Sequence, residues 1–171
     1  MGNKLTIRTF EPSDVSRILD LHENAMRDIG AYVEGVPEED LNAIESTYLQ
    51  NGAFLIGEYD GEIVAMGGIR PVEGHLTEML EEFDEQTAEL KRLRVDPSVQ
   101  GKGFGQKILN ELEQCAQKRG FSEIALDTTN KQPRARQLFE SSGYELEIKT
   151  DVEAFSEPMT VFVYRKTPLM G

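Results

Sequence analysis

At 171 residues and 39% hydrophobic content, the chain is the size of one domain, 1–171, with enough apolar side chains for a single core. Eighteen basic against thirty-one acidic residues leave a formal charge of −13, which argues against a nucleic-acid partner, slightly favours cationic acceptors and keeps a surface soluble. No apolar run of about 18 residues occurs and Met1-Gly2-Asn3-Lys4 carries no leader-like apolar stretch, so a cytoplasmic location without a membrane is expected; one cysteine, Cys115, and two histidines, His22 and His75, predict no disulfide and no metal.

Leu5, Ile7 and Thr9 alternate with Thr6, Arg8 and Phe10, which predicts a strand. Pro12-Ser13-Asp14 then opens a helix with Val15, Ile18, Leu19, His22 and Met26 on one face. Gly30 to Pro37 interrupts the pattern, and Glu38 to Gln50 reads as a second helix with Leu41, Ile44 and Tyr48 in register. Ala53 to Tyr59 and Glu62 to Arg70 are two strands joined at Asp60-Gly61, a pair suited to a hairpin turn. The acidic segment Glu73 to Glu85 is read as a mobile loop with room for a helical turn.

Thr87 to Val95 is a strand whose alternation puts Ala88, Leu90, Arg92 and Arg94 on one side and Glu89, Lys91, Leu93 and Val95 on the other. Pro97 ends it. Phe104, Ile108, Leu112 and Ala116 then recur every four residues in a helix that Gly120 stops, with Cys115 expected as a core thiol beside them. Ile124-Ala125-Leu126 makes a short strand, Pro133 to Ser142 a helix, and Tyr144 to Lys149 and Met159 to Lys166 two final strands. The order β-α-α-β-β-β-α-β-α-β-β predicts an α/β (α+β mixed) fold: a predominantly antiparallel mixed sheet of about seven strands with helices on both faces.

Gln100-Gly101-Lys102-Gly103-Phe104-Gly105 places three glycines at every second position between a strand and a helix. Glycine tolerates positive φ and lets an anion approach the backbone, while the N–H groups of a helix's first turn point outward, so the arrangement predicts a pyrophosphate cradle. A P-loop needs Gly-Lys-Ser/Thr, and Lys102 is followed by Gly103; a dinucleotide fingerprint needs a third glycine where Gln106 stands.

Residues Ala88 to Pro97 followed by Gln100 to Gly105 resemble the cofactor motif of the GNAT N-acetyltransferase superfamily, Gln/Arg-x-x-Gly-x-Gly/Ala, with Gly103 and Gly105 as its two required glycines. Ala135-Arg136-Gln137-Leu138-Phe139-Glu140-Ser141-Ser142-Gly143-Tyr144 resembles the later helix of the same family, Ala-x-x-Leu-Tyr-x-x-x-Gly-Phe/Tyr. The resemblance covers roughly residues 4–166. It implies acetyl-CoA as co-substrate, its diphosphate on backbone N–H groups of Gln100, Gly101, Lys102, Gly103, Phe104, Gly105 and Gln106, and its pantetheine arm along Leu93, Arg94 and Val95, where two parallel strands splay. Phe139 packs against the cofactor in this reading, and Asn130 or Gln132 contacts the arm. Lys102 is as well placed for solvent as for a phosphate.

An alkyl amine with a pKa of about 10 is neutral in only about one part in a thousand at pH 7, roughly 4 kcal/mol uphill, so a base is needed. Glu89 stands six residues before Val95, the register at which several GNAT enzymes carry a strand glutamate that takes the amine proton through water; pairing with Lys91 or Arg92, or anchoring of a substrate ammonium ion, is its alternative role. The tyrosine with which many family members protonate the thiolate is replaced by Phe139, which leaves Tyr144, Tyr164 or water. Cys115 has no histidine near it in sequence, so direct transfer in a ternary complex is expected rather than an acyl-enzyme.

The implied function is N-acetylation of a primary amine of a small molecule or peptide. A non-catalytic acyl-CoA-binding or sensing domain and a protein acylase acting on a macromolecule are the alternatives, and a homodimer is one open option for assembly. The acceptor pocket is expected near Met26 to Val36 and Ala154 to Val161, and Glu78 to Glu85 as a solvated loop beside it that could draw in a basic acceptor. His22 and His75 receive no role.

Overall fold

The computed structural model describes residues 4–154, 156–167 and 169. Residues 1–3, on which the expectation of no leader partly rests, and residue 155 of the expected acceptor region lie outside them. Strands β1 (Thr6–Thr9), β2 (Ala53–Tyr59), β3 (Glu62–Pro71), β4 (Thr87–Val95), β5 (Glu123–Thr129), β6 (Glu145–Ala154) and β7 (Glu157–Lys166) form one seven-stranded sheet in the order β1-β2-β3-β4-β5-β7-β6. Every neighbouring pair is antiparallel except β4 with β5. The β2–β3 hairpin turns at Asp60 and Gly61, both at positive φ (54° and 77°) as that pair predicts.

Helices α1 (Val15–Asp28), α2 (His75–Met79), α3 (Phe104–Lys118) and α4 (Pro133–Ser141) cover the two faces. Phe104, Ile108, Leu112 and Ala116 are buried at every fourth position of α3, the last three against Leu55, Ile69, Leu90 and Leu126 of the sheet and Phe104 beside the Tyr59 ring, centroids 5.1 Å apart. The core on this face also takes in Phe139 of α4. On the opposite face Ile18 and Leu21 of α1 pack with Tyr48, Phe54, Ile56 and Met66, while Leu76 of α2 covers Ala125, Val161 and Val163. Each such large side chain removed from water contributes about 1.5–3 kcal/mol.

The helix expected over 38–50 shrinks to one wide π-type turn, Glu45–Leu49, because Glu38 and Asp40 point back into the molecule as ion-pair partners of Arg92. The acidic segment contains α2. Strand β5 runs well past the apolar triplet that marked it, since its polar half, Asp127 to Thr129, still pairs with β7. Likewise β6 continues to Ala154 along β7. Cys115 is half-buried against the core, where burial raises its thiol pKa.

Candidate active site

At the end of β4, the Asp96 carboxylate accepts from Ser98 N–H (3.0 Å) and Ser98 Oγ–H (2.7 Å), folding the chain into the turn at Pro97–Val99. Gly101 and Gly103 then take φ of +85° and +83°. Space beside them is open, so what they require is the backbone angle and not room. A Cβ at Gly105, by contrast, would meet Leu138 at 3.4 Å and Val95 at 3.6 Å, ordinary contact that alanine could make.

The first bond of α3 runs from Lys107 N–H to the Gly103 carbonyl (3.2 Å), and no side chain caps the helix. Among the described residues the N–H groups of Phe104, Gly105 and Gln106 are therefore without acceptors, and these residues line a cavity of about 390 Å³. Leu93, Arg94, Val95, Gln100, Gly101, Gly103, Phe104, Gly105 and Gln106 line it, with Ala25 and Met26 of α1 and Arg134 and Leu138 of α4. Free donors at a helix N-terminus fit an anionic diphosphate. Lys102 lines neither this cavity nor the next; its ammonium stands 5.8 Å from the Tyr59 ring centroid.

The parallel pairing of β4 with β5 covers Thr87 to Glu89 and stops at the Glu89–Ala125 rung. Beyond it the strands separate around a second cavity of about 230 Å³, lined by Lys91, Arg92, Asp127 and Phe139 among others. Leu93, Arg94, Gln132 and Ala135 line both cavities, which makes them adjoining parts of one cleft.

The alternation expected along β4 fails at Arg92. Opposite Met66 to Gly68 of β3, β4 spends one extra residue between Lys91 and Arg94, and Arg92 sits at φ +61°. This bulge returns Leu93 and Val95 to the core side with Ala88 and Leu90, and sends Arg92 and Arg94 toward α1. A left-handed angle at a non-glycine residue costs about 1–3 kcal/mol and persists only where surroundings hold it.

Here Asp40 accepts from Arg92 Nε (2.9 Å) and Nη2 (2.7 Å), and Glu38 accepts from Nη2 at 2.8 Å. Tyr48 donates its hydroxyl to Asp40 (2.6 Å). Burial would raise the Asp40 carboxyl, yet its bonds to Arg92 hold it well below the usual carboxylate range.

Buried His22 joins the same network. Burial, followed by the charges of Arg94 and Arg92, pushes its pKa down to about 4, so it is neutral at pH 7. Its Nδ1 lies 3.4 Å from Arg94 Nε, and its Nε2 lies 3.1 Å from Glu38 Oε1 and 3.4 Å from Arg92 Nη1, so the ring sits between two guanidinium groups and one carboxylate. Arg94 itself is pushed down to about 10 by burial and by Arg92.

Glu89 lies at the apex of the cleft, only 3% exposed and outside both cavity walls. Its Oε1 accepts from Arg70 Nε at 3.4 Å, and Arg70 also pairs with Glu73 at 3.0 Å. Burial raises the Glu89 pKa, against the opposing charges of Lys91 and Arg70. Across the cleft, Asp127 faces His75 Nε2 at 3.1 Å.

Asn130 is drawn away from the cleft: its Oδ1 accepts from Thr160 N–H (3.0 Å) and its own N–H donates to the Thr160 carbonyl (3.1 Å). Gln132 lines both cavities instead and bonds with the Thr128 hydroxyl. Phe139 packs on Tyr144 and Tyr164, with ring centroids 5.7 and 6.3 Å away. Tyr144 donates to Glu113 (2.8 Å) and Tyr164 to Glu140 (2.7 Å), and burial raises both phenol pKa values. Neither lines the cleft.

Sequence reasoning missed His22, Glu38, Asp40 and Asp127. The one available signal was His22, which falls in line with Ile18 and Leu19 on the apolar face of α1. Among the described residues no group of His, Cys, Asp and Glu gathers as a metal site, and no helix is long and apolar enough to cross a membrane.

The sequence profile of the Acetyltransferase (GNAT) family matches residues 17–144. The uncharacterized N-acetyltransferase YjgM of Escherichia coli is 31% identical over 64% of this chain and 62% of its own length. Human N-acetyltransferase 8B is 28% identical over 67% of this chain and 48% of its own, so the chain spans about half to three-fifths of these relatives. Among solved structures, yncA of Salmonella typhimurium with its cofactor acetyl-CoA superposes with a TM-score of 0.77 at 20% identity, over 95% of this chain and 93% of that one. The ribosomal-protein-alanine N-acetyltransferase of Brucella melitensis gives 0.78 at 19%, over 95% and 99%.

Proposed function

Because the chain belongs to the acetyltransferase (GNAT) family, we propose that it transfers an acetyl group from acetyl-CoA to a primary amine of a small molecule or peptide, directly between the two bound substrates. The observation that carries this reading is the continuity of one cleft. It starts at acceptor-less N–H groups of α3 and passes between β4 and β5 toward the face that bears Glu89 and Asp127. Hydrogen bonds to an anion contribute about 1.5–3 kcal/mol each, so a few of these donors suffice to hold the diphosphate without Lys102.

Bound acetyl-CoA supplies an activated acyl group as its thioester. The chain's own part is to place the acceptor and move its proton. Glu89 is the base in this reading: burial lifts its proton affinity toward the range in which it takes a proton from an ammonium through water. Beyond Glu89 the edge of β4 is unpaired with β5, leaving the main chain of Leu93 to Val95 to receive the pantetheine arm. Gln132 takes the place considered for Asn130. With Phe139 aprotic and Tyr144 and Tyr164 engaged elsewhere, the proton for the leaving thiolate comes from solvent.

The test is release of free thiol from acetyl-CoA in the presence of an amine panel of polyamines, amino acids, aminoglycosides and peptides, with the acetylated amine identified by mass. A second reading, an acyl-CoA sensor without transfer, draws on Phe139 and the engaged tyrosines. Tight acetyl-CoA binding with no thiol release from any acceptor would establish it instead.

A further inference from the structure

Four basic side chains of β3 and β4 crowd the far mouth of the cleft, and their surroundings differ. Arg70 is paired with Glu73 and Glu89, and Arg92 with Glu38 and Asp40. Lys91 and Arg94 line the cavity of about 230 Å³, yet among the described residues neither forms an ion pair. Neither Glu89, 3.4 Å from Arg70, nor Asp127, 3.1 Å from His75, is within ion-pair distance of Lys91. Arg94 bonds only to neutral groups, His22 Nδ1 and the Leu93 carbonyl.

Keeping a half-buried cation without a counterion is costly. A chain with thirty-one acidic against eighteen basic residues has no shortage of carboxylates to supply one. Two cations left unmatched in one cavity, opposite a single carboxylate at Asp127, form a pattern complementary to a molecule that carries both an anionic group and an ammonium.

On the basis of the acetyltransferase reading above, we infer that the acceptor is an amine bearing its own carboxylate or comparable anion, an amino acid in the simplest case. Its anionic group is held by Lys91 and Arg94, and its ammonium faces Asp127, with Glu89 behind the cavity wall and reached through water. In the transfer the N–C bond forms as the thioester C–S bond breaks. The ammonium gives up two protons, one to Glu89 through water and one to solvent, and the leaving thiolate takes one from solvent, so one proton is released net. The overall charge of −13 favours cationic acceptors at long range, but the walls of the cavity reverse that preference at contact.

The test uses matched acceptors: the common amino acids with α-, β- and γ-carboxylates and aminoalkyl phosphonates, their uncharged amides or esters, the amines left after removing the anionic group, polyamines, and peptides. Thiol release is the readout, and calorimetry of acetyl-CoA checks that each preparation is folded and loaded. The expected result is at least a tenfold higher kcat/KM for the best anionic acceptor than for its amide, carried by KM. Lys91→Met collapses that ratio, and Lys91→Arg keeps it. Faster reaction of amides, polyamines or peptides, or a ratio that survives Lys91→Met, overturns the anionic subsite while leaving the transferase intact. Acetyl-CoA binding without release from any acceptor overturns the transferase reading, and this one with it.

Discussion

The turn at 100–105 and the bulge at Arg92 both place positive-φ residues beside the same cleft, and they are built from different material. The turn uses glycine, which adopts that angle at no steric cost, and presents main-chain N–H groups. The bulge uses an arginine, and needs Asp40, Glu38 and Tyr48 from a distant segment to hold it. A cradle made of backbone is local and independent of its neighbours. The proposed acceptor face, made of side chains from α1, 38–48, β3, β4 and β5, is cooperative, and a single loss should spread through it.

Gly103→Val is the strongest way to break this contrast. The branched side chain finds room but not the angle, so the damage should stay within the turn. Losing two anion-bound N–H groups predicts a fall of at least about 100-fold in acetyl-CoA affinity by calorimetry, with the melting temperature little changed. Unchanged affinity would mean that the diphosphate rests elsewhere.

Glu89→Gln probes the other side with the smallest change of shape. If Glu89 takes the amine proton, kcat falls by about 100-fold at pH 7 and the acidic limb of the pH–rate profile disappears, while acetyl-CoA affinity holds. The limb should lie above the usual carboxylate range in the parent protein, because burial raises this carboxyl and the deprotonated form is the active one. Parent-like turnover across the pH range would return Glu89 to a structural role beside Arg70.

Asp40→Asn should cost about 4 kcal/mol of stability in urea titrations, since it leaves Arg92 short of a buried counter-charge. The double variant Arg92→Met with Asp40→Leu sharpens the point. Replacing both partners by apolar groups should recover part of the stability, because the Tyr48 hydroxyl and Glu38 still lose a partner, and without the bulge's anchors turnover should stay about tenfold or more below the parent. Full recovery of turnover would show that the bulge forms without them.

The same division explains what could be read from the sequence. Strand β4, the hairpin at Asp60-Gly61, α3 and the glycine turn are each written in a few adjacent residues, by periodicity or by backbone permission. The order of the strands followed from them. The bulge left no such mark, because Arg92 is an unremarkable strand residue until Asp40 meets it 52 positions away. That missing mark reversed the facing assigned to Arg92 and Arg94, and made 38–50 look like a helix when its acids were committed to Arg92. Asn130 and Gln132 could not be separated by spacing, since the choice depends on the pairing of Asn130 with Thr160 of β7.

His22 offers the subtlest test, since it asks whether the acceptor face weakens while the cradle stands. Its pKa is depressed from an ordinary 6.5 to about 4, so between those values the unfolded chain binds the proton that the folded protein refuses. Stability from this group is therefore complete above about pH 6.5 and is lost as pH falls toward 4, by at most about 3 kcal/mol and by less to the extent that Glu38 accepts the new charge. Asp40 and Asp14, whose pKa values are lowered, lose their contributions mainly below that window, while Glu89, raised by burial, acts in the opposite sense above its ordinary range and is common to the parent and His22→Gln. Urea titrations at pH 7 and pH 4.5 should differ in the parent and differ less in His22→Gln. The cradle's N–H groups do not titrate, so a loss of acetyl-CoA affinity between pH 7 and pH 5 that shrinks in His22→Gln would mean that the two regions are coupled after all, whereas a loss shared by both proteins belongs to the ligand's own phosphate monoester.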